Sequence, residues 1–189
     1  MGKVLNWSKR QVISYSLGLA IFVVIGLGIY AAETISNPMP EFDPSRIELL
    51  VVQYTNEERT KHGLRPLAND EKLTSIARHH SVDMGNRDYY DHVTPEGLDA
   101  LDRIGYHCQM NNALGYGENI YQVGLKTKKA SWHSEESLAK ELVDGWMESP
   151  GHRENILEKN FYRIGVGVSI TGINGVYATC SIYSVNSCN

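Results

Sequence analysis

Histidine, acidic and cysteine side chains offer the most chemistry in this sequence. The chain has seven histidines, and an imidazole changes charge near neutral pH, so it can move protons or bind a metal. His92 stands in Tyr90-x-His92, and His152 follows Ser149-Pro150-Gly151. Glu118 lies in Gly117-Glu118-Asn119-Ile120, a glycine followed by an apolar run. No His-Glu-x-x-His zinc helix, Gly-x-Ser-x-Gly elbow or phosphate loop occurs. Ser149, His152 and Glu118 could form a serine nucleophile set, which would need the base within about 3 Å of the hydroxyl. Cys108 could act as a thiol, although an extracytoplasmic thiol is more often oxidised.

These residues need elements to hold them. Asp43-Pro44 reads as a helix start, with Ile47, Leu50, Val51 and Tyr54 at helical spacing and a stop near Gly63. A second helix is predicted from about Asp70 to Gly85, with Leu73, Ile76, Ala77, His80 and Met84 on one face. Thr94-Pro95 reads as the start of a third, whose buried stripe is Leu98, Leu101 and Ile104 and whose end is Gly105. The stretch from Leu114 to Tyr121 reads as a turn into a short strand. A fourth helix runs from Ser134 to Glu148 with Leu138, Leu142, Val143 and Trp146 inward. Ser149-Pro150 starts a short fifth helix ending at Leu157. Two β runs, Ile164 to Ile170 and Val176 to Val185, flank a hairpin turn at Gly172-Ile173-Asn174-Gly175. Helices first and adjacent strands last favour an α+β arrangement.

The segment Val12 to Ala32 carries no charge. About 20 apolar residues cross a hydrocarbon core of about 30 Å. Lys3, Lys9 and Arg10 precede it and Glu33 follows, which orients the amino terminus inward. The expected organisation is a cytoplasmic tail over 1–11, a transmembrane anchor over 12–32, a proline-rich linker over 33–44 and one extracytoplasmic domain over 45–189. Secretion after signal-peptide cleavage is the alternative; the sites at Ala31 and Ala32 are poor because Ile29 and Tyr30 stand two residues before them. A net charge of −4 gives no nucleic-acid footprint. Three cysteines are too few for a disulfide-framework fold. Cys108 is expected to pair with Cys180 or Cys188, closing a loop of about 70–80 residues that would contribute roughly 4 kcal/mol.

The motifs occur in an order that resembles the CAP superfamily of cysteine-rich secretory proteins, venom allergens and pathogenesis-related plant proteins, in its bacterial single-domain form. The pieces are Asn56-x-x-Arg59 with Gly63-Leu64-x-Pro66-Leu67, then Leu73, Ala77, His80, Ser81 and Met84, then Tyr90-x-His92. Arg103-x-Gly105-Tyr106 and Gly117-Glu118-Asn119-Ile120 come next. Trp146-Met147-x-Ser149-Pro150-Gly151-His152-Arg153-x-Asn155-Ile156-Leu157 is the strongest, and Phe161-x-x-Ile164-Gly165-Val166-Gly167 completes the set. The resemblance covers about residues 45–185. It implies an α+β fold built as a three-layer α-β-α sandwich around a central antiparallel sheet, here preceded by one transmembrane helix.

The same resemblance implies a cleft where His92, Glu118 and His152 meet, as ligands of a divalent metal such as Zn²⁺ or as proton-transfer groups. Eukaryotic relatives carry a further Glu three residues after the helix tryptophan. Ser149 stands there in this chain, and Glu148 is about 100° away around the helix, so a weak three-ligand site is expected. Each residue has a plainer reading beside this one. His152 could bond its local turn, Glu118 could accept backbone N–H groups, and His92 could be a loop histidine. His80 reads as a hydrogen-bonded core residue. His62, His79, His107 and His133 read as surface residues, and Asn56 and Arg59 as polar residues that hold the fold. The leading function is a module binding an extracytoplasmic ligand or partner, with no enzyme motif. A metal-assisted hydrolase using the same cleft is the alternative, followed by a lipid or sterol carrier.

Overall fold

The computed structural model describes residues 39–107, 115–125, 131–171 and 177–185, with the backbone alone at 106–107 and 177–185. All elements below belong to the unit Glu41–Asn189. The expected anchor over 12–32 lies outside the described residues, as do Cys108, Cys188 and the hairpin turn. No helix among the described residues is long and apolar enough to cross a membrane.

Helix α1 spans Pro44–Lys61. Asp43 caps it by accepting from Ser45 N, and Pro44 occupies the first turn, where a missing N–H costs nothing. Strand β1 is the short Ala68–Asn69. Helix α2 spans Glu71–Arg87, capped by the Asp70 carboxylate on the N–H groups of Lys72 and Leu73. It ends at Asp88, a non-glycine residue with φ 55°. Helix α3 spans Ala100–His107 and strand β2 spans Tyr116–Gly124. Helix α4 spans Glu135–Glu148, with Ser134 and Ser137 bonding each other's backbone N–H groups. Helix α5 spans Pro150–Leu157; strands β3 and β4 span Arg163–Thr171 and Tyr177–Val185.

The strands form one sheet in the order β1-β3-β4-β2. β3 and β2 both pair antiparallel with β4. β1 pairs parallel with β3, so the expected antiparallel sheet carries one short parallel edge. Alternation along β3 explains the layering. Ile164, Val166 and Val168 join Ile47, Val51, Leu142 and Trp146 in the main core. Gly165 and Gly167 face α2, and a Cβ on Gly167 would lie 1.9 Å from Arg78 N. Glycine is therefore required here for helix and sheet to touch. Ser81 Oγ donates to Gly167 O at 2.8 Å across that contact.

The third helix departs from expectation. Thr94 to Leu98 forms a turn, with Gly97 N bonding Thr94 O and Leu98 N bonding Thr94 Oγ1. The helix starts only at Ala100. Ile104 is buried, but Leu98 and Leu101 are exposed, because the turn rotates Leu98 off the predicted stripe. His133 is also corrected. It is buried, beside Ser137 Oγ at 3.0 Å and Glu141 at 3.3 Å.

Candidate functional site

The site forms around β2, the last strand in the sheet order. Glu118 projects toward the loop between α2 and α3, and the neighbouring Asn119 reaches α5. The left-handed turn at Asp88 releases the chain from α2 into that loop. Three bonds then fix the loop. His80 Nε2–H donates to Asp91 O at 3.1 Å, Arg103 Nη2 donates to His92 O at 2.9 Å, and Tyr90 Oη–H donates to Ile120 O at 3.0 Å. Trp146 Nε1–H donates to the same Ile120 carbonyl at 3.1 Å, which ties α4 to this strand.

Glu118 is the centre of the arrangement. Its side chain is 3% exposed. Oε2 accepts from Arg103 Nη2 at 2.6 Å, and Oε1 meets His92 Nδ1 at 2.5 Å. The His92 ring, in contrast, is 49% exposed. A carboxylate held by a buried guanidinium thus orients a half-exposed imidazole through Nδ1. The hydrogen bond to Glu118 raises the His92 pKa above its ordinary value, against the opposing effect of burial.

His152 arrives from the other side, in the first turn of α5. Asn119 Nδ2 donates to His152 O at 2.9 Å, and Asn155 Nδ2 donates to Asn119 Oδ1 at 2.8 Å and to Glu118 O at 3.1 Å. Burial lowers the His152 pKa, and repulsion from His92 lowers it further. The two imidazoles are shifted in opposite directions.

The expected metal set meets a carboxylate that is already engaged. Both Glu118 oxygens already have partners, one of them a guanidinium. Among the described residues no group of three or more His, Cys, Asp or Glu side chains is disposed to hold a metal ion. A Zn²⁺ ion bound by His92, Glu118 and His152 together would require Glu118 to release one of its partners. The residues as placed do not fit that group. Glu148, the doubtful fourth ligand, is exposed in the last turn of α4.

Sequence reasoning missed Arg103, Asn119, Asn155 and Tyr90 as parts of this site. Arg103 had a readable signal: it adjoins Ile104 on a short amphipathic helix, so one face had to bury a charge or turn it away. The asparagines gave none, because their role is to join β2 to a helix far along the chain. Asn56 and Arg59 do hold the fold. Asn56 bonds Leu67 N and O, and Arg59 donates to Arg65 O, Ile156 O and Glu158 O.

Comparison with known proteins gives the geometry its context. Residues 52–182 match the family described as CAP, the cysteine-rich secretory protein family. The Bacillus subtilis protein YkwD is 40% identical over 129 residues, which are 68% of this chain and 44% of YkwD. The membrane protein YlbC of the same organism is 32% identical over 122 residues, 64% of this chain and 31% of YlbC. The chain thus spans less than half the length of either relative. Among solved structures, an extracellular protein containing an SCP domain from Bacillus anthracis matches with TM-score 0.58 and 24% identity, over 78% of this chain and 45% of that one. An outer surface protein from Borrelia burgdorferi matches with TM-score 0.62 and 17% identity, over 79% of this chain and 99% of that one. At these identities the likeness is one of fold.

Proposed function

This chain belongs to the cysteine-rich secretory protein (CAP) family, and from that premise we propose that it is a ligand- or partner-binding module presenting His92 and His152 to an acceptor-bearing ligand outside the cell membrane. The observation that carries the reading is the buried Arg103–Glu118–His92 chain. Glu118 accepts at Nδ1, so a protonated His92 offers Nε2–H outward. Arg103 answers the Glu118 charge and Asp91 also acts on the ring, so a protonated His92 offers one charged donor, which suits a carboxylate, sulfate or phosphate oxygen. The extracytoplasmic placement is supported by the apolar run over 12–32 with basic residues before it, and by a relative named as a membrane protein. Membrane fractionation of the full-length chain tests the tether; recovery in the soluble fraction would remove it.

Sulfate is a suitable probe, because its charge is constant across the histidine range. Its affinity for the full-length protein, followed through histidine ring ¹⁵N signals, should be strongest near pH 5 and weaken as pH rises through the raised His92 pKa. His92→Ala should abolish the dependence. A profile that stays flat from about pH 5 to about pH 9, or unchanged affinity in His92→Ala, would sink this reading.

One observation favours a second reading, a hydrolase. Oppositely shifted imidazoles can serve as acid and base near neutral pH, His92 donating a proton and His152 accepting one. That reading requires turnover of a substrate that His152→Ala abolishes while sulfate binding persists.

A further inference from the structure

Nine large apolar side chains stay exposed among the described residues, and four of them, Tyr90, Val93, Leu98 and Leu101, fall between residues 90 and 101. The same stretch carries His92. Scattered exposed apolar residues are ordinary, but a group gathered beside a charged donor marks an interaction surface.

Arg103 ties this group to the imidazole cleft. Its Nη1 donates to Leu98 O at 2.8 Å, and its Nη2 donates to His92 O at 2.9 Å and to Glu118 Oε2 at 2.6 Å. One guanidinium therefore holds the Leu98 turn against the His92 loop. With Ile76, Thr94 and Leu98, Arg103 also lines a groove of about 630 Å³ between α2 and that turn, within the range of small-ligand pockets. The groove and the cleft thus share a wall. From that wall the Glu118 carboxylate leads directly to His92 Nδ1 at 2.5 Å. Groove and imidazole are separated by about two residues of extended chain.

The charges around the groove narrow its occupant. Asp83, Glu96 and Asp102 line it, against Arg87 and the imidazole of His79. Arg87 pairs with Asp83 and Glu96, and the Arg103 charge is answered by Glu118, so negative charge is in excess there. A polyanionic glycan or an anionic lipid surface would meet that excess with repulsion. A neutral glycan would leave the His92 donor without a charged acceptor. A protein segment meets both demands, because it carries its carboxylate and its apolar surface on separate residues. Side chains two apart on an extended chain share a face, which matches the separation of groove and imidazole.

We propose that the Leu98 turn and the His92 loop form one docking face for a protein partner, whose segment sets a carboxylate on His92 Nε2–H and, two residues away, a leucine-like side chain in the groove against Leu98 and Ile76. The inference rests on the reading of His92 as a donor to an anionic group, and it names the class of partner that donor takes. The carboxylate orients the segment. The apolar side chain is its anchor.

Blocked tripeptides titrated into the full-length protein test this, with histidine ring ¹⁵N and leucine methyl ¹³C signals as readouts. Acetyl-Leu-Ala-Asp-amide should move the His92 ring and the Leu98 methyl signals along one saturation curve. It should bind about tenfold or more tightly than acetyl-Ala-Ala-Asp-amide, which lacks the anchor. Acetyl-Leu-Ala-Asn-amide lacks the charge and should also bind about tenfold more weakly. Leu98→Ser alters an exposed side chain and should remove most of the leucine peptide's advantage over the alanine peptide. The proposal is overturned by the absence of a saturable shift with the leucine peptide, by equal binding of the leucine and alanine peptides, or by an advantage that survives in Leu98→Ser. Decanoate binding more tightly than the leucine peptide would give the face to a lipid, and self-association that Leu98→Ser abolishes would give it to a second copy of the chain; either overturns the proposal. Sulfate that shifts His92 while the leucine side chain adds nothing removes this inference alone. No shift of His92 with sulfate or with any peptide removes the reading of the cleft as well.

Discussion

Two buried arginines stand in different surroundings, one among main-chain carbonyls and the other against a titratable carboxylate. Arg59 is fully buried and gives its N–H groups to three backbone carbonyls, those of Arg65, Ile156 and Glu158. It knots the end of α1 to the segment after α5. Arg103 is nearly as buried and also donates to two carbonyls, those of His92 and Leu98. It differs in one acceptor, the carboxylate of Glu118, and beyond that carboxylate stands a half-exposed imidazole. Burial alone does not separate a functional charge from a structural one. What separates them is whether the charge is answered by backbone dipoles, which end there, or by a titratable side chain that passes its effect outward.

The largest expected effect tests that distinction directly. Arg103→Leu leaves the Glu118 carboxylate in the interior without its counter-charge, and should cost about 3–5 kcal/mol in denaturant unfolding. Adding Glu118→Leu removes the stranded charge and should recover most of the loss. Arg59→Leu should cost about 3 kcal/mol, because three carbonyls lose their donor. No single second substitution should recover it, since the acceptors are main chain. If Arg59→Leu is rescued as readily as Arg103→Leu, or if Glu118→Leu fails to rescue Arg103→Leu, the contrast between the two regions does not hold.

Much of the fold was legible in the sequence because its signals are local. Asp43-Pro44, Asp70 and Ser134 mark helix starts through side chains that cap within a few residues. Gly165 and Gly167 interrupt a β run and do mark the close approach of α2. The turn at Thr94 to Leu98 was misread because a threonine that caps a helix and one that closes a turn look alike. Of the site, His92 and Glu118 are joined by a hydrogen bond, and the main chain at His152 is tied to Asn119. The partner of Glu118 was not legible, because only tertiary packing shows that Arg103 consumes one of its oxygens. His80 illustrates the same limit. Its place on an apolar face indicated burial, and one nitrogen is hydrogen-bonded as expected, but nothing in a sequence shows that the other has no donor.

The smaller effects lie in pH, where the two regions of the His92 loop should act on opposite limbs of the stability curve. His80 has a native pKa of about 4, below the ordinary 6.5. Between these values the unfolded chain binds the proton and the native one does not, so stability falls as pH is lowered through this window. The loss is about 3 kcal/mol by pH 4. His152, also lowered, adds in the same direction. His92 works the other way. Its native pKa is raised, so its contribution is present below the unfolded value and is lost as pH rises through the native one. Being half exposed, it should contribute the weaker limb. His80→Gln keeps a donor for the Asp91 carbonyl but does not titrate, so it should shrink the acid limb to the share that His152 leaves and keep the alkaline one. Glu118→Gln removes the charge that holds a proton on His92, so it should flatten the alkaline limb and lower the His92 pKa read by NMR. Unfolding curves of the three proteins across this pH range decide the assignment. An acid limb that persists undiminished in His80→Gln would assign it to His152 and the carboxylates instead of His80.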